Sequence, residues 1–125
     1  MLITGFIPGL PIAKGRPRMT RSGHTYTPAK TRQAEAYLQK WLLNHYAGEP
    51  SKQAISLTLM FGFKRPASNK TAKHMQRPDL DNLIKTIKDA ANGVLWVDDS
   101  QVIYLTAEKL WADESGIEIM VEEIP

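Results

Sequence analysis

Ile55-Ser56-Leu57-Thr58-Leu59-Met60-Phe61-Gly62-Phe63 decides the fold. Large apolar side chains fill every odd position, alternating with Ser56, Thr58, Met60 and Gly62. A period of two is that of a strand, whose successive side chains point to opposite faces, so one face of this strand is expected to be strongly buried. Working outward, Ala34, Tyr37, Leu38, Trp41, Leu42 and His45 recur at helical spacing on the N-terminal side. Thr27-Pro28 supplies a threonine N-cap with proline at the first helical position, and Gly48-Glu49-Pro50 supplies the stop. Leu10 to Thr27 reads as a loop, and the apolar run Leu2 to Ile7, closed by Pro8-Gly9, as a first strand.

On the C-terminal side, Lys64 to Pro78 has no hydrophobic period and is expected to be a mobile loop, long enough in so small a chain to suggest a function. A second helix follows, with Leu80, Leu83, Ile84, Ile87 and Ala91 on one face and Gly93 placed to end it. Val94 to Val97 reads as a short strand closed by Asp98-Asp99-Ser100. Val102 to Leu110 and Gly116 to Val121 read as a terminal hairpin, with Ile117, Ile119 and Val121 inward. No internal repeat or boundary appears, so residues 1–125 are expected to form one α+β domain. Its order is β-α-β-α-β-β, a mixed sheet of about four strands with two main helices packed on it.

A chain of 125 residues is long enough for a single core. The absence of cysteine excludes disulfides, thiolate zinc sites and a cysteine nucleophile. His24, His45 and His74 are too far apart to form a paired-histidine metal motif. No apolar stretch approaches the roughly 20 residues of a membrane span, and no signal-like segment opens the chain, which points to a soluble, cytoplasmic protein. The net charge of +3 hides a strong asymmetry. Met1 to Pro78 carries 13 Lys/Arg and two acids, whereas Asp79 to Pro125 carries 11 acids and three lysines. A basic half suits a polyanion, although a solvated basic face is the plain alternative.

Asp79 and Asp81 appear where a stretch without acids, carrying Lys52, Lys64, Arg65, Lys70, Lys73 and Arg77, comes to an end. Local rules read Asp79 as an N-cap and Asp81 as a dipole-complementing residue paired with Lys85 at i,i+4. The second reading is a metal site. Hard carboxylate oxygens suit Mg²⁺, and a downstream Asp98-Asp99 pair is expected to fold alongside. Lys85 then serves as the cation beside a phosphate.

Arg77-Pro78-Asp79-Leu80-Asp81-Asn82-Leu83-Ile84-Lys85, then Asp89-Ala90, then Trp96-Val97-Asp98-Asp99-Ser100-Gln101-Val102, resembles the RusA family of Holliday junction resolvases. Lys14-Gly15-Arg16-Pro17-Arg18 and Tyr26-Thr27-Pro28 resemble further family segments. The resemblance implies a homodimeric, Mg²⁺-dependent endodeoxyribonuclease, with Mn²⁺ able to substitute, that cuts branched four-way DNA by paired symmetric nicks in recombination and repair. It implies Asp79, Asp81 and Asp99 as metal ligands, with Asp98 the fallback for the third, and Lys85 as the catalytic lysine. The dense arginine run of better-known members is spread here through Lys64 to Arg77.

Lys14, Arg16, Arg18, Arg21 and Lys30 in the first basic segment, and Arg65, Lys70, Lys73 and Arg77 in the second, are the expected DNA contacts. His24 and His74 are expected to touch phosphate or solvent and His45 to be structural. Trp41, Trp96 and Trp111 are assigned to the core or a dimer interface, and Asp89 to a surface or supporting role. Two rival readings are a non-catalytic nucleic-acid-binding module and a metal-dependent nuclease acting on RNA or flaps.

Overall fold

In the computed structural model, which describes residues 2–125, Ile55, Leu57, Leu59 and Phe61 are fully enclosed and Phe63 nearly so. They lie on β4 (Ala54–Lys64), an inner strand of a four-stranded sheet ordered β1 (Ile3–Pro8), β6 (Gly116–Ile124), β4, β5 (Val102–Ala112). β6 is antiparallel to both β1 and β4, and β4 is parallel to β5. The α+β class, the mixed sheet and the inward Ile117, Ile119 and Val121 are as read from the sequence.

The expected terminal hairpin is not formed. β5 and β6 do not touch; they flank β4 on opposite sides. The link between them arches over the end of β4, where the Lys64 N–H donates to Ser115 Oγ at 2.9 Å. Turn residues signal that the chain reverses, but not that the strands on either side pair. Here the most apolar strand takes the inner position, where both of its backbone edges are satisfied.

α1 (Ala29–His45) and α2 (Leu80–Ala91) cover one face of the sheet. α1 starts one residue later than expected, with Pro28 at the N-cap and no side-chain cap. Thr31, inside its first turn, is buried because its Oγ1 accepts the Gly15 N–H at 2.9 Å, tying the first basic loop to the helix. Tyr37 and His45 of the proposed stripe are exposed; His45 stacks on Trp41 and bonds its carbonyl. α2 buries Leu83, Thr86, Ile87, Ala90 and Ala91 and ends before Gly93, whose φ of +78° is left-handed.

Val94 to Val97 is not a strand. It is a turn that plugs the core with Val94, Leu95 and Trp96, and Trp96 Nε1 donates to Asn92 Oδ1 at 2.7 Å. The loop before α1 holds a small exposed hairpin, β2 (Arg18–Met19) with β3 (Thr25–Tyr26), that composition did not reveal.

The loop expected to be mobile is anchored to the sheet. His74 is buried between the rings of Phe63 and Trp111, at centroid distances of 4.5 and 4.3 Å, so it is not the exposed loop histidine read from the sequence. Lys109 of β5 donates to the Gln76 and Pro78 carbonyls at 2.7 and 3.0 Å. Nothing in the sequence pattern singled out Lys109. It fixes the chain just before Asp79.

Candidate active site

β4, α2 and β5 form a parallel strand–helix–strand unit. In such a crossover the helix runs back against the strands, so it starts at their C-terminal ends and returns the chain to their N-terminal ends. Asp79 and Asp81 lie at the start of α2, and Asp98 and Asp99 just before the start of β5. The topology therefore separates the two acid pairs. Lys109 holds Pro78, and from Val102 to Lys109 a strand advances roughly 23 Å at about 3.3 Å per residue. Among the described residues no three His, Cys, Asp or Glu side chains gather where they could hold a metal ion. The expectation that Asp98-Asp99 folds alongside Asp79 within one chain is overturned, for this topological reason.

At the start of α2 the local reading holds for position, with Asp79 at the N-cap and Asp81 in the first turn, but not for the bonds expected of them. Asp79 occupies the N-cap position with extended backbone, yet its side chain makes no cap hydrogen bond. Asp81 is not paired with Lys85, because the Lys85 ammonium turns the other way and donates to Asp89 Oδ1 at 2.9 Å. Among the described residues no salt bridge reaches Asp79 or Asp81, and both are exposed. Two carboxylates are left uncommitted at the positive end of a helix, beside the C-terminal ends of two parallel strands, where ligands of α/β sheets collect.

Asp89 is held on both sides. Its second oxygen meets the Lys14 ammonium at 3.1 Å, and Lys14 also bonds Glu35 of α1. Burial pushes the Asp89 carboxyl up, but hydrogen bonds from Lys85 and Lys14 outweigh it and hold it below the usual carboxylate range. Lys14 is raised chiefly by its bond to Glu35. So Lys14, read from the sequence as a DNA contact, is committed to two acids. The other eight expected contacts, Arg16, Arg18, Arg21, Lys30, Arg65, Lys70, Lys73 and Arg77, are exposed and enter no salt bridge among the described residues. Lys30 and Arg77 border the cavity that Asp79 also lines.

At the other end, Asp98 and Asp99 separate by role. Asp98 caps the 3-10 turn Asp99–Gln101: its carboxylate accepts the Ser100 N–H at 3.1 Å, and the Gln101 side chain accepts the Asp98 N–H at 2.8 Å. The bonds from Ser100 hold Asp98 below the usual carboxylate range. Gln101 Nε2 donates to the Ser51 and Gln53 carbonyls, both at 2.8 Å, fixing the turn to the entry of β4. With Asp98 spent as a cap, Asp99 is the acid of the pair open to another role.

Uncommitted acids facing free cations on an α+β scaffold are the equipment of a protein that handles a polyanion chemically. The family model of Endodeoxyribonuclease RusA matches residues 8–122. "Uncharacterized protein YqaN" of Bacillus subtilis (strain 168) is 30% identical over 131 residues, covering 93% of this chain and 92% of that protein. "Crossover junction endodeoxyribonuclease rusA" of Lactococcus phage r1t is 41% identical over 49 residues, 38% of this chain and 37% of that one. The chain belongs to the RusA family: it is an endodeoxyribonuclease of the Holliday junction resolvase type, from a family that acts on branched DNA and is generally divalent-metal dependent. No helix among the described residues is long and apolar enough to cross a membrane.

Proposed function

We propose that the protein is a Mg²⁺-dependent, homodimeric, cytoplasmic resolvase that nicks four-way junctions symmetrically, each site combining Asp79 and Asp81 of one copy with Asp99 of the other. The observation that carries this reading is the placement of the acids at opposite ends of β5, whose outer edge has no partner strand among the described residues. Ile103, Tyr104 and Leu105 are 57, 63 and 46% exposed on this edge strand, an arrangement that invites strand pairing. Antiparallel pairing of β5 with β5 of a second copy is self-complementary under a two-fold axis. It carries each copy's Asp99 toward the other's Lys109–Pro78–Asp79 end. A two-fold dimer also suits a junction offering two equivalent strands.

Of the three proposed ligands, one chain brings only Asp79 and Asp81 to the start of α2, and a two-carboxylate set is incomplete for the three-acid site. The hard oxygens of Asp79, Asp81 and a second copy's Asp99 fit Mg²⁺, with Mn²⁺ as a substitute. When bound, such an ion supplies phosphate polarisation and an activated water. Lys85, one turn from Asp81, leaves Asp89 to meet the scissile phosphate, and Lys14 keeps Asp89 compensated as it does so. The eight free cations grip the arms through their phosphates.

Mixing Asp79→Asn with Asp99→Asn protein tests the shared site. Each variant alone is expected to be inactive, whereas the mixed dimer regains one intact site and makes single nicks in a four-way junction. Mixtures as dead as their components would overturn the shared arrangement. Wild-type protein that binds junctions and cuts none with Mg²⁺ or Mn²⁺ would overturn the metal-dependent reading altogether.

A further inference from the structure

Resting on that reading, we propose that the cavity beside Asp79 receives a nucleobase unstacked from the exchange point of the junction, next to the phosphate that is cut. The cavity measures about 570 Å³, within the roughly 300–1,000 Å³ of small-molecule sites. Phe63, His74 and Trp111 line it together, the His74 ring in contact with each of the other two at interplanar angles of 46° and 38°. Such a cluster in a dry core would be made of carbon. Here two of the rings carry polar atoms, His74 Nδ1 and Trp111 Nε1, that are buried with no hydrogen-bond partner among the described residues. His74 is itself only 7% exposed. Two unmet polar groups on rings that line one concavity are a standing cost that a ligand with a hydrogen-bonding edge relieves once the rings tilt to expose them.

The remaining lining selects the ligand. Lys30, Lys64 and Arg77 border the same cavity, placing phosphate-binding charge around an aromatic floor. The Arg65 guanidinium lies 5.7 Å from the centroid of the Trp111 ring. Asn82, on the first turn of α2, contributes an amide able to read a base edge. Rings for stacking, an amide for an edge and cations for the flanking backbone are together the chemistry by which splayed-out bases are held. A lone phosphate uses none of the rings. The cavity's sharing of Asp79 ties the base to the cut: a base seated there fixes which phosphate reaches the acids.

The test is a scan of four-way junctions carrying a single abasic nucleotide at each of the positions flanking the cut, cleaved by the wild-type protein. One position is expected to lower the cleavage rate by about tenfold or more, the worth of one stacked base, while junction binding through the arms stays within a few-fold. Trp111→Leu, checked for folding by circular dichroism, is expected to cleave intact junctions more slowly and to lose that position-specific penalty. A flat scan with the wild-type protein overturns the base pocket, and so does a penalty that persists undiminished in folded Trp111→Leu. The wild-type scan decides the matter alone if the variant does not fold. A protein that cuts no junction at all instead fails the resolvase reading, so the two failures are distinct.

Discussion

The two ends of the β4–α2–β5 unit carry the same kind of acid in different states. At the Asp79 end, two carboxylates are exposed with no ion pair among the described residues, next to a cavity bordered by cations. At the Asp99 end, the backbone is locked by a capping box and by Gln101 bonded to two carbonyls, above a fully buried Trp96. On the proposed reading one end receives a large polyanion and the other presents one carboxylate from a rigid turn. Among the described residues neither gathers three acids, and the difference teaches that acids which sequence order makes look adjacent can be set apart by topology.

The sharpest way to break that comparison is to neutralise acids one at a time. Asp79→Asn, Asp81→Asn and Asp99→Asn are each expected to lower junction cleavage by on the order of 10²–10⁴, the several kcal/mol that a correctly held ion contributes. Junction affinity should stay constant or rise, since a negative charge near phosphate is lost. Asp98→Asn should change cleavage by no more than a few-fold, because asparagine is also a good cap. Single-turnover cleavage beside gel-shift titration separates these cases. Equal losses at Asp98 and Asp99 would erase the distinction between cap and ligand.

If the site is divided between two copies as proposed, activity depends on the β5 edge. Ile103→Lys with Leu105→Lys puts charge on two exposed edge residues, where the fold itself should lose no more than about 0.5 kcal/mol per site. Sedimentation should show monomers in place of dimers, with cleavage reduced at least about tenfold at low protein concentration and recovering as concentration rises by mass action. A dimeric, fully active double variant would move the interface elsewhere on the molecule.

A smaller effect sharpens the Asp79 end itself. Lys85→Ala should cost cleavage heavily, whereas Asp89→Asn removes the charged partner of Lys85 and Lys14 but leaves both lysines, and should cost less than about tenfold. Asp89 is held below its ordinary value, so its contribution to stability is present above that value and is lost as pH falls through the depressed one. The melting-temperature gap between wild type and Asp89→Asn, worth up to about 1 kcal/mol for so partly exposed a network, should therefore be present at neutral pH and close in acid.

Much of this was legible in the sequence, for identifiable reasons. β4 was readable because burial of one face writes a period of two directly into Ile55 to Phe63, and α2 because a single stripe and Gly93 bound it. The acids, Lys85 and the family could be read because residue type and short spacing carry them. What was not legible is non-local. The placement of β6 across β4 leaves no local mark, since the Ala112 to Gly116 turn reads the same either way. Neither the burial of His74 nor the reach of Lys109 to two loop carbonyls follows from neighbours in sequence. The pairing of Lys85 with Asp89 in preference to Asp81 was a choice between two equal i,i+4 spacings that residue order alone does not decide.

The last difference between the two ends is their response to mild acid. His74 belongs to the Asp79 end, where burial pushes its imidazole below the ordinary 6.5. A base whose folded value is depressed is neutral in the fold while the unfolded chain takes up a proton, so its share of stability is whole above 6.5 and declines as pH falls below it. His74→Phe keeps a ring between Phe63 and Trp111 but cannot titrate. Its melting temperature should fall less than that of wild type between about pH 7 and pH 5, and the two curves should run parallel above that window. Hydrogen exchange should place the extra acid sensitivity of wild type in residues 64–78 and leave the Asp99 turn unchanged, because the turn's capping groups are carboxylate and amide and do not titrate there. Parallel melting curves across the whole window would mean that His74 is protonated within its ring cluster, and the two ends would then share one acid response.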